Sequence, residues 1–203
     1  MIKHKAPGNT VVVAGTAGGV GTTTVASLLF SSLARNSRGA PELLDHSAGD
    51  LGLRLPEGDD VTAVDSTWAI RDLGQHALDE GIELLADPEV LLVVVAPATF
   101  AGVAAADRAL RDIKDRWGAT GVRQTLVALV GVFGKHPLRP ATERLQNSYG
   151  RGLLAIFPQD TSLAAGGRVP LSRLSADTVR AQSRLVNLVL DRMSLRQKKA
   201  TQP

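Results

Sequence analysis

The sequence predicts an α/β fold: a mostly parallel, doubly wound central sheet with helices on both faces, giving three layers. Two observations carry this expectation. Short Val- and Leu-rich runs recur along the chain without the spacing of an amphipathic helix. Segments with helical periodicity lie between them, and alternation of strand with helix favours a parallel sheet covered on both sides.

The elements follow in order. Residues 10–14 contain three consecutive valines and run straight into a glycine-rich loop, so they read as a buried strand. Residues 24–34 read as a helix. Leu43-Leu44 ahead of Asp45 reads as a short second strand, 68–70 as a third, 91–96 as a fourth, 125–132 as a fifth and 153–157 as a sixth. Residues 102–117 carry Val103, Ala106, Leu110 and Ile113 at intervals of three and four, as a helix with one buried side does. Residues 176–196 read as a closing helix with Val179, Val186, Val189, Leu190 and Met193 on its apolar side, and 197–203 as a frayed tail.

Composition narrows the function. At 203 residues, 44% apolar and 21% charged, the chain suits one domain spanning 1–203, with 1–8 and 197–203 flexible. Aromatic residues are only 3%, so a stacking platform for single-stranded nucleic acid is poorly supplied. Without cysteine there is no disulfide, thiolate metal site or cysteine nucleophile. The longest apolar run, 90–97, falls far short of the roughly 20 residues that cross a bilayer. No signal-peptide core follows the first residues, so a cytoplasmic location is expected. The four histidines show no metal-ligand spacing, and no G-x-S-x-G elbow occurs.

The first strand is followed by Gly15-Thr16-Ala17-Gly18-Gly19-Val20-Gly21-Thr22-Thr23-Thr24. Glycines at 18, 19 and 21 allow a tight curl in which several amides face one anion, and the next helix adds the positive end of its dipole. The same pattern also reads as a tight turn that holds no ligand. Strand, GGVGTTT and helix together resemble the deviant Walker A loop of the ParA/MinD family of P-loop ATPases. The resemblance implies a three-layer P-loop NTPase fold, with Gly18, Gly19, Val20, Gly21, Thr22, Thr23 and Thr24 around ATP or ADP and the Thr23 hydroxyl on Mg²⁺.

Two departures stand out. The family's loop carries one lysine before the paired glycines and another after the third glycine, where this chain has Ala17 and Thr22. The resemblance gives the second lysine the β- and γ-phosphates and the first a contact across an ATP-sandwiched dimer. A charged hydrogen bond is worth about 1.5–3 kcal/mol, so losing one weakens triphosphate binding about 10- to 100-fold. Hydrolysis suffers more, because the cation stabilises charge that develops in the transition state.

The resemblance extends along most of the chain. Asp45 stands where the family's switch I has the first acidic residue that holds Mg²⁺ and orients the attacking water, whereas Ser47 fills the second acidic place. Asp72-Leu73-Gly74 resembles the Walker B aspartate and switch II turn, although Arg71 interrupts the apolar run before it. An N-cap or turn role is the alternative for each aspartate. Pro158 and Asp160 resemble the loop beside the nucleotide base. The asparagine that relatives use for adenine is missing from Val132-Phe133-Gly134-Lys135.

Net charge is +3, but residues 168–203 carry eight basic side chains against Asp177 and Asp191. Arg180, Arg184, Arg192, Arg196, Lys198 and Lys199 therefore invite comparison with relatives that hold nonspecific DNA or anionic lipid at this end. DNA ranks ahead of membrane, because the segment lacks Trp and Phe anchors, and a solvated helix face is the plain alternative. The expected protein is thus a Mg²⁺- and ATP-binding positioning or DNA-partition switch, homodimeric, with an unknown protein partner and weak hydrolysis. The competing expectation is a non-hydrolysing pseudo-ATPase scaffold that localises a partner such as pilus or secretion machinery.

Overall fold

Each of the six apolar runs forms a strand, and all of the strands pair in parallel. The computed structural model describes residues 8–36, 40–46, 51–56, 68–75, 77–132 and 137–200. The strands are β1 (Asn9–Gly15), β2 (Glu42–Asp45), β3 (Trp68–Gly74), β4 (Val90–Pro97), β5 (Thr125–Val130) and β6 (Leu154–Phe157). They lie in the order β2-β3-β1-β4-β5-β6, so β1 is flanked by β3 on one side and β4 on the other. From β1 the chain crosses to the far edge at β2, returns inward through β3, and then builds outward on the other side through β4, β5 and β6. The loop after β1 therefore opens at the switch point of the sheet, where ligands of such folds bind.

The helices are α1 (Thr22–Asn36), α2 (Leu51–Arg54), α3 (Leu78–Glu83), α4 (Phe100–Arg123), α5 (Arg139–Tyr149), α6 (Thr161–Ala164) and α7 (Ala176–Ala200). Because successive strand side chains point to opposite faces, the valine runs feed two cores. Val11 and Val13 of β1, with Leu91, Val93 and Val95 of β4, pack under α1 and α7. Val12, Ala14, Leu92, Val94 and Ala96 pack under α3, α4 and α5. Burying a side chain such as Phe30 or Leu110, both fully enclosed, contributes about 1.5–3 kcal/mol.

Several boundaries differ from expectation. β3 continues through Arg71 and Asp72 to Gly74, since pairing with both β1 and β2 carries the ladder past the polar residues. α4 begins at Phe100, where Thr99 Oγ1 accepts the Gly102 N–H at 3.0 Å, and its helical geometry is interrupted at Gly118, with φ 61° and ψ −152°. β5 ends at Val130, and a 3-10 turn at Arg151–Leu153 precedes β6. α7 extends to Ala200 rather than ending at 196.

The buried side of α7 is Ala181, Leu185, Val186, Val189 and Met193, and Val179 is 43% exposed. Val179 follows the buried Thr178, and a step of one residue turns a helix by about 100°, which takes it off the packed side. Leu190 is half-buried against the same core. Among the described residues no helix is long and apolar enough to cross a membrane. Ser47, Phe133-Gly134-Lys135, three histidines (His4, His76, His136) and the flexibility expected of 1–7 and 201–203 lie outside the described residues.

Candidate functional site

The loop from Gly15 to Gly21 joins β1 to the N-terminus of α1. Thr16 N–H donates to the Val95 carbonyl at 2.8 Å, which pins the loop to β4 at its start. Gly19 and Gly21 take φ of 69° and 88°, a region that glycine enters without the Cβ penalty. A Cβ on Gly15 would overlap Thr22 Oγ1, so the Thr22 hydroxyl folds back onto the end of β1. Val20 belongs to the core and offers its surroundings only backbone groups. Thr22 is buried, Thr23 and Thr24 are half-buried, and Gly18 and Gly19 face solvent. The Thr16 hydroxyl is buried and has no hydrogen-bond partner among the described residues.

Two carboxylates lie on the strands to one side of β1. Asp45 and Asp72 are direct register partners on β2 and β3, and Asp72 is the partner of Val13 on β1. Paired residues share a sheet face, so both carboxylates lie on the face that α1 covers. Asp72 is fully buried and its Oδ1 accepts the Gly74 N–H at 2.9 Å. Asp45 is exposed and its Oδ2 accepts the Leu51 N–H at 3.1 Å, which ties the end of β2 to the start of α2. The β1–β3 register shifts after Val13, which pairs with Asp72 whereas Ala14 pairs with Gly74.

Two further residues reach this region that sequence reading did not identify. The Gln75 side chain lies across Gly18, where an added Cβ would overlap its Oε1. Arg54 donates from Nε to Thr24 Oγ1 at 3.0 Å, from Nη1 to the Gly167 carbonyl at 2.8 Å and from Nη2 to the Leu163 carbonyl at 2.6 Å. Burial lowers its pKa from the ordinary arginine value. The only sequence signal for either residue is its place just beyond a strand or in the short helix after Asp45.

The remaining candidates sit elsewhere. Asp160 accepts from Ser162 N–H and Oγ on one oxygen, and from Ser175 N–H and Thr178 Oγ1 on the other. Partial desolvation pushes its pKa up, but these hydrogen bonds outweigh it and hold the carboxyl well below the usual range. Its carboxylate thus caps α6 and fastens that turn to α7. Pro158 lines an open groove of about 550 Å³ at the β6 edge, together with Arg180 and Arg184. A second groove of about 450 Å³ runs along the outer side of α7. Neither groove is lined by the glycine loop, Asp45 or Asp72.

The basic end is partly occupied by structural contacts. Arg180 pairs with Asp177, Arg184 Nε donates to the Leu154 carbonyl at 2.9 Å, and Arg192 donates to the Arg123 and Gly152 carbonyls at 3.0 and 3.3 Å. Arg196, Lys198 and Lys199 are helical, with side chains outside the described residues.

No family model matches the chain, and no curated protein matches it in sequence. Solved structures do match. A ParA family ATPase from Chlorobium tepidum TLS superposes with a TM-score of 0.56 at 15% identity, over 91% of this chain and 98% of that one. A putative plasmid partition protein from Borrelia burgdorferi B31, bound to AMPPNP, gives 0.58 at 11% identity, over 92% and 99%. A chain of the MinC:MinD cell division protein complex of Aquifex aeolicus gives 0.56 at 14% identity, over 96% and 97%. At such identities the likeness establishes the fold, which is that of the ParA/MinD-like P-loop NTPases.

Proposed function

We propose that this chain is a nucleotide-binding positioning or DNA-partition switch that takes ATP or ADP with Mg²⁺ and hydrolyses it weakly. One observation carries the reading: a loop with two glycines at positive φ, set at the switch point of a parallel sheet and opening onto the N-terminus of a 15-residue helix. The loop amides and the helix dipole would hold the phosphates. The buried, unpartnered Thr16 hydroxyl adds an unused polar group to the same loop.

The residues present fit a phosphate-bound Mg²⁺ better than a free-standing metal site. Among the described residues no group of three or more His, Asp or Glu side chains forms a metal site by itself. Mg²⁺ characteristically takes one or two carboxylates, with nucleotide phosphates and water completing its shell. Thr23, Asp45 and Asp72 are the residues that would hold it, and the ion would supply positive charge to the phosphate oxygens. Asp45 is the exposed member of the pair and would orient a water. In this reading nucleotide favours a homodimer, and the dimer engages DNA or a protein partner.

A second reading, a pseudo-ATPase scaffold that localises a partner, is favoured by Thr22. It occupies the place of a loop lysine, and its hydroxyl turns back onto Gly15. Titration calorimetry of nucleotide-stripped protein with ATP, ADP and GTP, with and without Mg²⁺, separates the two. The switch predicts micromolar, Mg²⁺-dependent ATP binding. Folded protein giving no heat at millimolar nucleotide would remove the switch and leave the scaffold.

A further inference from the structure

β6 is one of the two edge strands of the sheet, with β5 on one side of it. Phe157 accepts the Gly131 N–H on the β5 side at 2.9 Å, so the backbone groups of Leu154 and Ile156 point away from the sheet. An open strand edge of this kind is a template for another strand. Here it lies in the 550 Å³ groove, walled by Gln146 of α5 and by Asp177, Arg180 and Arg184 of α7. Asp177 pairs with Arg180, so Arg184 is the groove's cation without a carboxylate partner among the described residues. Ile156, 45% exposed, projects an apolar side chain into the same groove.

Arg184 gives the edge its selectivity. Its Nε donates to the outward carbonyl of Leu154, which covers one edge acceptor. A guanidinium has five N–H donors, and a carboxylate can take two of them in a parallel fork that a single carbonyl oxygen does not match. A strand bearing Asp or Glu draws Arg184 toward itself and leaves the Leu154 carbonyl to accept a backbone N–H. Pairing with β6 of a second copy offers Arg184 no free carboxylate, because Asp177, the acidic residue of the groove, is already paired with Arg180. We infer that the β6 edge docks an extended, acidic, β-branched segment of a partner protein, which adds as a seventh strand beside Ile156 with its carboxylate on Arg184. Four residues at about 3.3 Å each set the length of the contact near 13 Å, so the expected affinity is weak.

The test uses the full chain labelled with ¹⁵N and a synthetic acetylated peptide of alternating Val and Asp. The expected result is saturable shifts of the Leu154 and Ile156 amide resonances, with Arg184→Gln weakening binding about 10- to 100-fold. Ile156→Ser, at an exposed position that spares the fold and adds no charge, should weaken it as well. Equal binding of a Val and Lys peptide would overturn the proposal. So would peptide shifts confined to other residues, or concentration-dependent self-association that leaves these amides protected without peptide. A duplex of 20 base pairs that shifts the amides where the peptide does not would reassign the surface to nucleic acid.

Discussion

Gln75, just past the end of β3, lies directly against Gly18 of the glycine loop. An alanine at 18 would meet only the end of a flexible side chain, whereas an alanine at Gly15 would meet the buried Thr22, Val20 and the Ala17 carbonyl. Gly18→Ala is therefore expected to shift Tm by under about 2 °C. Gly15→Ala should cost about 1–3 kcal/mol of strain, or roughly 2–12 °C for a chain of this size. Thermal denaturation of the two variants checks the contrast, and Gln75→Ala should make Gly18→Ala neutral.

Thr22→Lys restores a cation to the loop. We expect ATP affinity to rise about 10- to 100-fold, the worth of one charged hydrogen bond. Because Thr22 is only 6% exposed, the longer side chain has to leave the space beneath Gly15 and extend toward solvent. Calorimetry gives the affinity, and unchanged binding would place the defect outside position 22.

Arg54 should prove structural. Its guanidinium joins α1, α6 and the Gly167 turn through three bonds that a lysine cannot reproduce together. Arg54→Lys and Arg54→Ala are both expected to lose about 1–3 kcal/mol in urea unfolding. A lysine variant with wild-type stability would refute this.

Asp160 makes stability depend on acid. Its folded pKa lies below its unfolded value of about 3.9. The stabilisation is therefore complete above that unfolded value and is lost as pH falls through the folded one. Between pH 6 and pH 2 the wild-type Tm should fall more steeply than that of Asp160→Asn, which starts lower at pH 6. Parallel profiles would show that the Ser162, Ser175 and Thr178 bonds do not favour the charged form.

Most of the fold was legible because fully buried parallel strands demand unbroken apolar runs, and residues 11–13 and 91–96 supply them. β3 was read short because Arg71 and Asp72 break its apolar run, while pairing on both sides extends it. The face of α7 was misread at Val179 because hydrophobicity alone gave it the same weight as Val186. The small Ala181 and the buried Thr178 and Gln182 reveal the true side. In the site, positive φ leaves its mark as glycine at 19 and 21. Arg54 and Gln75 reach the loop from 30 and 57 positions away, a tertiary relationship that local spacing does not encode. Asp160 was visible as a loop aspartate, whereas its partners, the Ser162 and Thr178 hydroxyls and the Ser162 and Ser175 N–H groups, lie up to 18 positions on, so its anchoring of α6 to α7 was not.

α7 follows all six strands in chain order, yet it supplies Ala181, Leu185, Val186, Val189 and Met193 to the core beneath α1. On the ribosome, the opposite face is complete once α5 and β6 have emerged, while the α1 face still lacks its cover. At about 5–20 residues per second, the 25 residues of α7 take roughly 1–5 s to appear. Until α7 has emerged, the nascent chain presents Phe157, Leu126 and one flank of α1 to solvent or to a chaperone. A delay in the emergence of α7 should lengthen this exposure and lower the yield of soluble protein, while a delay in the emergence of α4 leaves that face no worse off.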